Sequence, residues 1–160
     1  MYNQILKTIM ALLFICSTLL SAEQYDSKSI SIDEAAVKSV VINFLIAAGN
    51  YDTEAMPAMF TTNANIGGAS FKNGKWSIFT MTLKEFLTAL QSATNPSKYT
   101  EPVSKFTIFI EKGKLAFVKA DATLLVEGKP RSYNFDYFTL LKENDTWKIL
   151  NGSYVSVPID

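Results

Sequence analysis

The sequence predicts an α+β domain, and three observations carry that reading. Apolar residues recur at helical spacing over the first half of the chain, the period switches to two from Tyr99 onward, and Asn95-Pro96 stops the helical region. The implied order is helix, helix, hairpin, helix, then a four-strand meander whose sheet offers one face for the helices to cover. At 160 residues the chain has room for one domain, and a domain of that size buries about two thirds of its unfolded surface without a disulfide or metal staple.

Residues 1–22 read as an export signal ahead of the domain. Lys7 supplies a positive start, Ile9 to Leu20 a mostly apolar stretch, and Leu20-Ser21-Ala22 a small-residue cleavage site. Cutting after Ala22 leaves Glu23 as the first residue of a secreted or periplasmic protein. An apolar run of about 12 residues is shorter than the roughly 20 that span a bilayer, so membrane contact is expected only through this signal before cleavage. The single cysteine, Cys16, lies inside the signal behind the bulky Phe14 and Ile15, which speaks against lipidation. The mature chain then has no thiol and no disulfide.

Glu23 to Ile30 is a short polar leader without periodicity, expected to be flexible. Ser31-Ile32-Asp33-Glu34 has the S-x-x-E form of a capping box and predicts a helix start at Ser31. Behind it Val37, Val40, Val41, Phe44, Leu45 and Ala48 form an apolar stripe, and Ile42 and Ile46 widen it, so this helix should be covered on most sides. Gly49-Asn50 ends it. Asp52 or Thr53 can cap a shorter second helix running through Glu54 to Phe60, with Pro57 tolerated near its first turn. Asn63 to Thr80 reads as extended chain folded at Asn73-Gly74, a pair that accepts the positive φ angles of a tight hairpin. Thr82-Leu83-Lys84-Glu85 repeats the capping box, and Leu83, Phe86, Leu87 and Leu90 give the third helix its stripe. Four strands follow near Val103 to Glu111, Leu115 to Glu127, Arg131 to Lys142 and Trp147 to Val157, punctuated by Lys112-Gly113, Gly128-Lys129-Pro130 and Asn144-Asp145.

The composition excludes several functions. Fifteen basic residues balance fifteen acidic ones, so no basic field exists to concentrate phosphates and nucleic acid is not an expected partner. The absence of histidine removes the commonest general base, every Ser-His-Asp arrangement and the histidine-based zinc motifs. No metal and no cofactor is therefore expected, and acid-base chemistry would fall to Asp, Glu, Tyr or Lys. Asp33, Glu34, Asp52, Glu54 and Glu85 sit at predicted helix starts, where the dipole favours anions. Glu111, Glu127, Glu143 and Asp145 sit at turns. Two carboxylates remain in mid-strand, Asp121 and Asp136. Asp is disfavoured in strands, so each needs an exposed face or a specific partner.

For Asp121, between Lys119 and Thr123, the exposed face is expected. Asp136 lies in the more apolar run Tyr133-Asn134-Phe135-Asp136-Tyr137-Phe138. Whether the two share a face depends on the parity of the loop between their strands, which the residues leave open. Alternation alone puts Val118, Ala120, Ala122 and Leu124 with Tyr133, Phe135, Tyr137 and Leu141 against the core, and both carboxylates away from it.

The chain resembles the nuclear-transport-factor-2-like superfamily over roughly Ser31 to Val157. The resemblance is carried by Phe44-Leu45-Ile46-Ala47-Ala48-Gly49-Asn50-Tyr51-Asp52, by Ala55-Met56-Pro57-Ala58-Met59-Phe60 before a small-residue strand, and by the closing Asp136-Tyr137-Phe138-Thr139-Leu140-Leu141-Lys142 and Trp147-Lys148-Ile149-Leu150-Asn151. Among the branches it is most similar to the "putative lumazine-binding" group. The resemblance implies a cone of three helices packed on a curved, mostly antiparallel sheet, with Asp136 pointing into the cone.

A ketosteroid isomerase of this superfamily uses a first-helix tyrosine and a protonated late-strand aspartic acid to hold an oxyanion, and a first-strand aspartate as base. The tyrosine position matches Phe44, the base position falls near Gly68, and only the acid survives, as Asp136. The expectation is therefore an exported, non-catalytic domain binding a small, largely apolar ligand, with Asp136, Phe44, Phe138, Asn151 and Ser153 as binding residues. Asn151 and Ser153 are placed there because strand alternation sets them on the face of Trp147 and Ile149. Met56, Met59 and Phe60 line the cavity mouth or, as ordinary apolar spacing suggests, belong to the core. The rivals are a lyase- or isomerase-like enzyme using Asp136 with Tyr133 or Tyr99, and a homodimer formed through the outer sheet face. The sequons Asn144-Asp145-Thr146 and Asn151-Gly152-Ser153 matter only in a glycosylating source.

Overall fold

A computed structural model describes residues 27–94 and 96–159. The expected signal over 1–22, and the first part of the leader, lie outside the described residues. The first helix, α1, spans Ser27–Asn50. It therefore includes the four residues ahead of the predicted start, and the end of the supposed leader is helical. Val37, Val41, Phe44, Leu45, Ala47 and Ala48 are buried along one side, whereas Ile42 and Ile46 are exposed. The stripe is thus one-sided, and the expectation that α1 is covered on most sides does not hold.

Asp33 is not a dipole-stabilising surface carboxylate. It is buried, and its Oδ1 accepts from the Lys142 ammonium and from the Trp147 indole N–H, each at 2.8 Å. This ties the start of α1 to the last hairpin.

The end of α1 is a Schellman turn. Asp52 N–H donates to Ala47 O at 2.9 Å and Tyr51 N–H to Ala48 O at 3.1 Å, and Tyr51 holds the left-handed conformation at φ 58°. Gly49 has a different duty: a Cβ there would stand 2.2 Å from the Tyr99 carbonyl oxygen. The Asp52 carboxylate accepts from Ala55 N–H at 3.0 Å, as a cap should. It holds the turn that leads into one 3-10 turn, Met56–Met59, whose N-cap Ala55 makes no side-chain bond; no second α-helix forms there. Pro57 removes a donor from a stretch already short, and Phe60 must turn extended to enter the core. The domain therefore has two α-helices among its described residues, not three. Met56 and Phe60 are fully inside the core.

Strand β1 (Phe60–Lys72) and β2 (Lys75–Thr82) form the predicted hairpin, with Asn73 and Gly74 at φ 54° and 74°. Helix α2 (Leu83–Gln91) opens on the predicted capping box, Glu85 N–H donating to Thr82 Oγ1 and Thr82 N–H to Glu85 Oε2. A two-residue strand, β3 (Tyr99–Thr100), precedes the meander of β4 (Val103–Glu111), β5 (Leu115–Val126), β6 (Lys129–Glu143) and β7 (Thr146–Pro158). The sheet has seven strands in the order β2-β1-β7-β6-β5-β3, with β4 also on β5. Only β1 and β7 run parallel. The core lies between the inner face of this sheet and the helices, around Val37, Val41, Met56, Leu140 and Ile149.

Two irregularities in the meander decide which side chains face inward. The β5–β6 turn is Glu127-Gly128, at φ 52° and 73°, so Lys129 and Pro130 belong to the strand. Beyond it Leu125 faces Pro130 but Leu124 faces Ser132, which leaves Arg131 as an extra residue next to a proline that cannot donate to the ladder. On β7, Leu140 faces Ile149 but Thr139 faces Asn151, which leaves Leu150 as the extra residue.

Candidate ligand-binding site

The extra residue at Arg131 sets Ala120 opposite Asp136, Ala122 opposite Asn134 and Val118 opposite Phe138. The inner face of β6 is therefore Ser132, Asn134, Asp136, Phe138 and Leu140, all buried, while Tyr133, Phe135 and Tyr137 are exposed. This corrects the alternation reading on β6, although Val118, Ala120 and Ala122 of β5 do face the core. A larger apolar set points outward because the inner set must border a cavity, where polar groups have work that close packing does not give them.

Asp121 and Asp136 are on opposite faces. Asp121 lies opposite Phe135 and is paired with Lys119, whose ammonium sits 5.4 Å from the centre of the Phe135 ring.

The second extra residue, Leu150, reverses the remainder of β7. Past it, Gly152, Tyr154 and Ser156 lie opposite Phe138, Asp136 and Asn134. Asn151 and Ser153 lie opposite Thr139 and the exposed Tyr137, on the outer side. Their expected place on the face of Trp147 and Ile149 is overturned by the bulge. Ser153 still borders the cavity, as well as an outer groove that it shares with Asn151, Phe109, Phe117 and Tyr137; Asn151 borders only the groove.

The cavity has a volume of about 290 Å³. Phe44, Leu45 and Ala48 of α1, Tyr51 just past its end, and Phe86 and Leu90 of α2 form one wall. Ile66 and Ser70 of β1, Leu124 of β5, Asn134, Asp136 and Phe138 of β6, and Gly152, Tyr154 and Ser156 of β7 form the other, and Tyr99 and Glu101 close one side. The Phe44 ring meets Phe138 edge-on at 5.8 Å and Phe60 at 5.1 Å, so it is held as a packed wall. Gly68 leaves room for neighbouring rings: a Cβ there would lie 2.9 Å from both Phe79 and Tyr154. Tyr51 meets Tyr99 edge-on at 6.2 Å.

Asp136 and Asn134 are buried polar groups of this wall, Asp136 5% exposed, and the Asp136 Oδ2 has no hydrogen-bond partner among the described residues. Burial, with smaller contributions from the charges of Glu101 and Asp121, raises its pKa to about 8. Asp136 is thus mostly an uncharged acid at neutral pH, able to donate a proton in a hydrogen bond or to ionise when a positive charge arrives. Burial also raises Glu101, and the hydrogen bond from Asn134 Nδ2 opposes that shift. Ser132 Oγ donates to Asn134 Oδ1 at 2.9 Å, so Ser132, Asn134 and Glu101 form one chain. Burial and the nearby acids raise Tyr99 and Tyr154 as well, which keeps both phenols neutral.

Of the expected binding residues, the cavity gathers Asp136, Phe44 and Phe138, with Ser153 at its border. Of the two tyrosines proposed as acid-base partners, Tyr99 lines it and Tyr133 is on the exposed face. Glu101, Asn134 and Tyr154 were missed. Asn134 follows from Asp136 by a step of two once Asp136 is inside, but Tyr154 depends on the bulge and Glu101 lies in a stretch without periodicity. Among the described residues no cluster of three or more potential metal ligands occurs.

The curved sheet with helices packed over its cavity matches the nuclear-transport-factor-2-like fold, here with two α-helices among the described residues, and the solved structures agree. A putative scytalone dehydratase from Novosphingobium aromaticivorans is similar at TM-score 0.65 and 13% identity, over 82% of this chain and 88% of that one. The beta subunit of a putative aromatic-ring-hydroxylating dioxygenase from the same organism gives TM-score 0.66 at 10% identity, over 82% and 93%. An NTF2-like protein of unknown function from Shewanella baltica gives 0.60 at 18%, over 81% and 97%. No curated protein matches the sequence significantly. The family model described as "Putative lumazine-binding" matches residues 32–155, and the chain belongs to that family within the nuclear-transport-factor-2-like superfamily.

Proposed function

We propose that this protein is exported after cleavage following Ala22 and binds a small, largely apolar molecule in its cavity without transforming it, with Asp136 as the fixed polar contact. The observation that carries this reading is the Asp136 carboxyl, buried in an apolar wall with Oδ2 unpartnered. Such a group costs about 1–3 kcal/mol unless something satisfies it. A ligand hydrogen-bonded to Oδ2 recovers that cost, and the surrounding rings supply burial for its apolar body. Phe44 and Gly68, at the positions where an isomerase of this fold carries its tyrosine and its base, support binding over turnover.

A second reading, lyase- or isomerase-like acid-base chemistry through Asp136, is favoured by one observation: a pKa of about 8 suits a group that gives and takes protons near neutrality. A homodimer through the outer sheet face is supported by Phe109, Phe117 and Tyr137, exposed by 64%, 47% and 47%.

Native mass spectrometry of the protein recovered from its own source tests these together. The expected result is a chain beginning at Glu23, in two copies, each carrying a small apolar molecule that incubation returns unchanged. A chain that arrives without a ligand, and stays empty in a screen of apolar metabolites, refutes the binding reading. A ligand returned altered, with the change abolished in Asp136→Asn, establishes the enzyme instead.

A further inference from the structure

The chemical class of the ligand can be argued from what lines the cavity, and the argument rests on the reading that the cavity binds a small molecule. Six aromatic rings border it: Phe44, Tyr51, Phe86, Tyr99, Phe138 and Tyr154. Two carboxyls, Asp136 and Glu101, border the same space, and no Lys or Arg does so among the described residues. Asp136 is 5% exposed and keeps one oxygen unpartnered, whereas Glu101 has one oxygen engaged by Asn134 Nδ2. We propose that the ligand is a small organic cation, an amine or ammonium group on an apolar body, whose charge sits among the rings with Asp136 as its counter-ion.

Each alternative charge leaves part of the site uncomplemented. An anion would meet two carboxyls set among six aromatic rings with no basic side chain to receive it. A neutral acceptor could take a hydrogen bond from Asp136 but would add nothing electrostatic for the rings or for the Glu101 oxygen that Asn134 does not engage. A cation is attracted by all of them, and its ammonium hydrogen fits the free oxygen of Asp136.

The groups facing Asp136 are of one kind. Glu101 and Tyr99 approach from the β3 segment, Tyr154 from β7, and Tyr51 from the position that follows α1. All four are acids or phenols; on the opposite face of the sheet Asp121 adds a smaller charge contribution and is paired with Lys119. A cation entering near neutral pH therefore ionises Asp136 and releases a proton, so its affinity rises with pH and falls again as Asp136 is protonated.

Three probes of one shape separate the possibilities: 2-phenylethylammonium, 2-phenylethanol and phenylacetate, titrated into the mature domain by protein-observed NMR and calorimetry at pH 8 and pH 5.5. The expected result is that the ammonium binds about tenfold more tightly than the alcohol at pH 8, with phenylacetate weakest. The preference should shrink at pH 5.5 and in Asp136→Asn and Glu101→Gln, and calorimetry in two buffers at pH 7 should show protons released by the ammonium alone. Should Asp136→Asn fail to fold, Glu101→Gln and the wild-type pH dependence carry the test. If the alcohol or phenylacetate equals the ammonium at pH 8, the cation is refuted while the cavity keeps its binding role. If none of the three binds, both readings are overturned.

Discussion

Replacing Asp136 with Asn should make the domain more stable at neutral pH and flatten part of its pH dependence. An acid with a folded pKa of about 8, against an ordinary value of 3.8, holds its proton in the folded state while the unfolded chain has lost it. Stability from this group is fully present below about pH 4, is lost progressively as the pH rises, and levels off above about pH 8. From pH 3.8 to pH 7 the span is about three pH units at about 1.4 kcal/mol each, or about 4 kcal/mol, and relaxation with water entry reduces this to about 2–4 kcal/mol. Asn has nearly the shape of the neutral acid and does not titrate. Its fixed cost, a buried amide in place of a hydroxyl, cancels when the variant is compared with the wild type at pH 4 and again at pH 7.

Urea unfolding of both proteins at pH 4, 5, 6, 7, 8 and 9 measures this difference directly, because every other carboxylate is common to the two. The gap should grow in favour of Asn by about 2–4 kcal/mol between pH 4 and pH 7, which corresponds to a change of about 10 °C in the Tm difference over that range. Parallel curves across the range would refute the reasoning, since they would mean that the folded Asp136 ionises like a solvated carboxylate. A gap of opposite sign would mean that a positive group holds Asp136 ionised in the folded protein.

Two further substitutions test the frame that positions the cavity. Asp33→Ala leaves the Trp147 indole N–H and the Lys142 ammonium without the carboxylate that both use, and should cost about 2–4 kcal/mol in urea unfolding at pH 7; a loss below about 0.5 kcal/mol would show that water replaces the carboxylate freely. Gly49→Ala places a methyl group 2.2 Å from the Tyr99 carbonyl oxygen. It should lower stability by about 1–3 kcal/mol and loosen the Tyr99–Glu101 wall, read as faster amide hydrogen exchange there; unchanged exchange would show that the helix shifts instead.

Much of the fold was legible because its signals are local. The hairpin at Asn73-Gly74, the capping box at Thr82 to Glu85 and the bounds of the Val103–Glu111 strand depend on a few neighbouring residues, and all are found where the residues put them. The second helix failed because Ala55 to Phe60 has an apolar period but too few residues, and Pro57 leaves it as one 3-10 turn. Tyr51 defies a local rule: it takes a left-handed conformation that favours glycine, while the nearby Gly49 serves the approach of Tyr99. That assignment depends on a neighbour 50 positions along the chain, which no local pattern reveals.

The sequence by itself determined the class α+β, the position of most strands and turns, the absence of histidine chemistry, and Asp136 as the residue to watch. Only the tertiary structure decided which way the closing strands face. Without the extra residue at Arg131, Ala120 would oppose Phe135, and without the one at Leu150, Asp136 would oppose Ser153. Those are the arrangements that unbroken pairing from the two turns would give. A bulge costs one residue and reverses every side chain beyond it, and its site is set by pairing with the neighbouring strand. The partners of Asp136, Tyr154 among them, are for that reason a property of the assembled sheet.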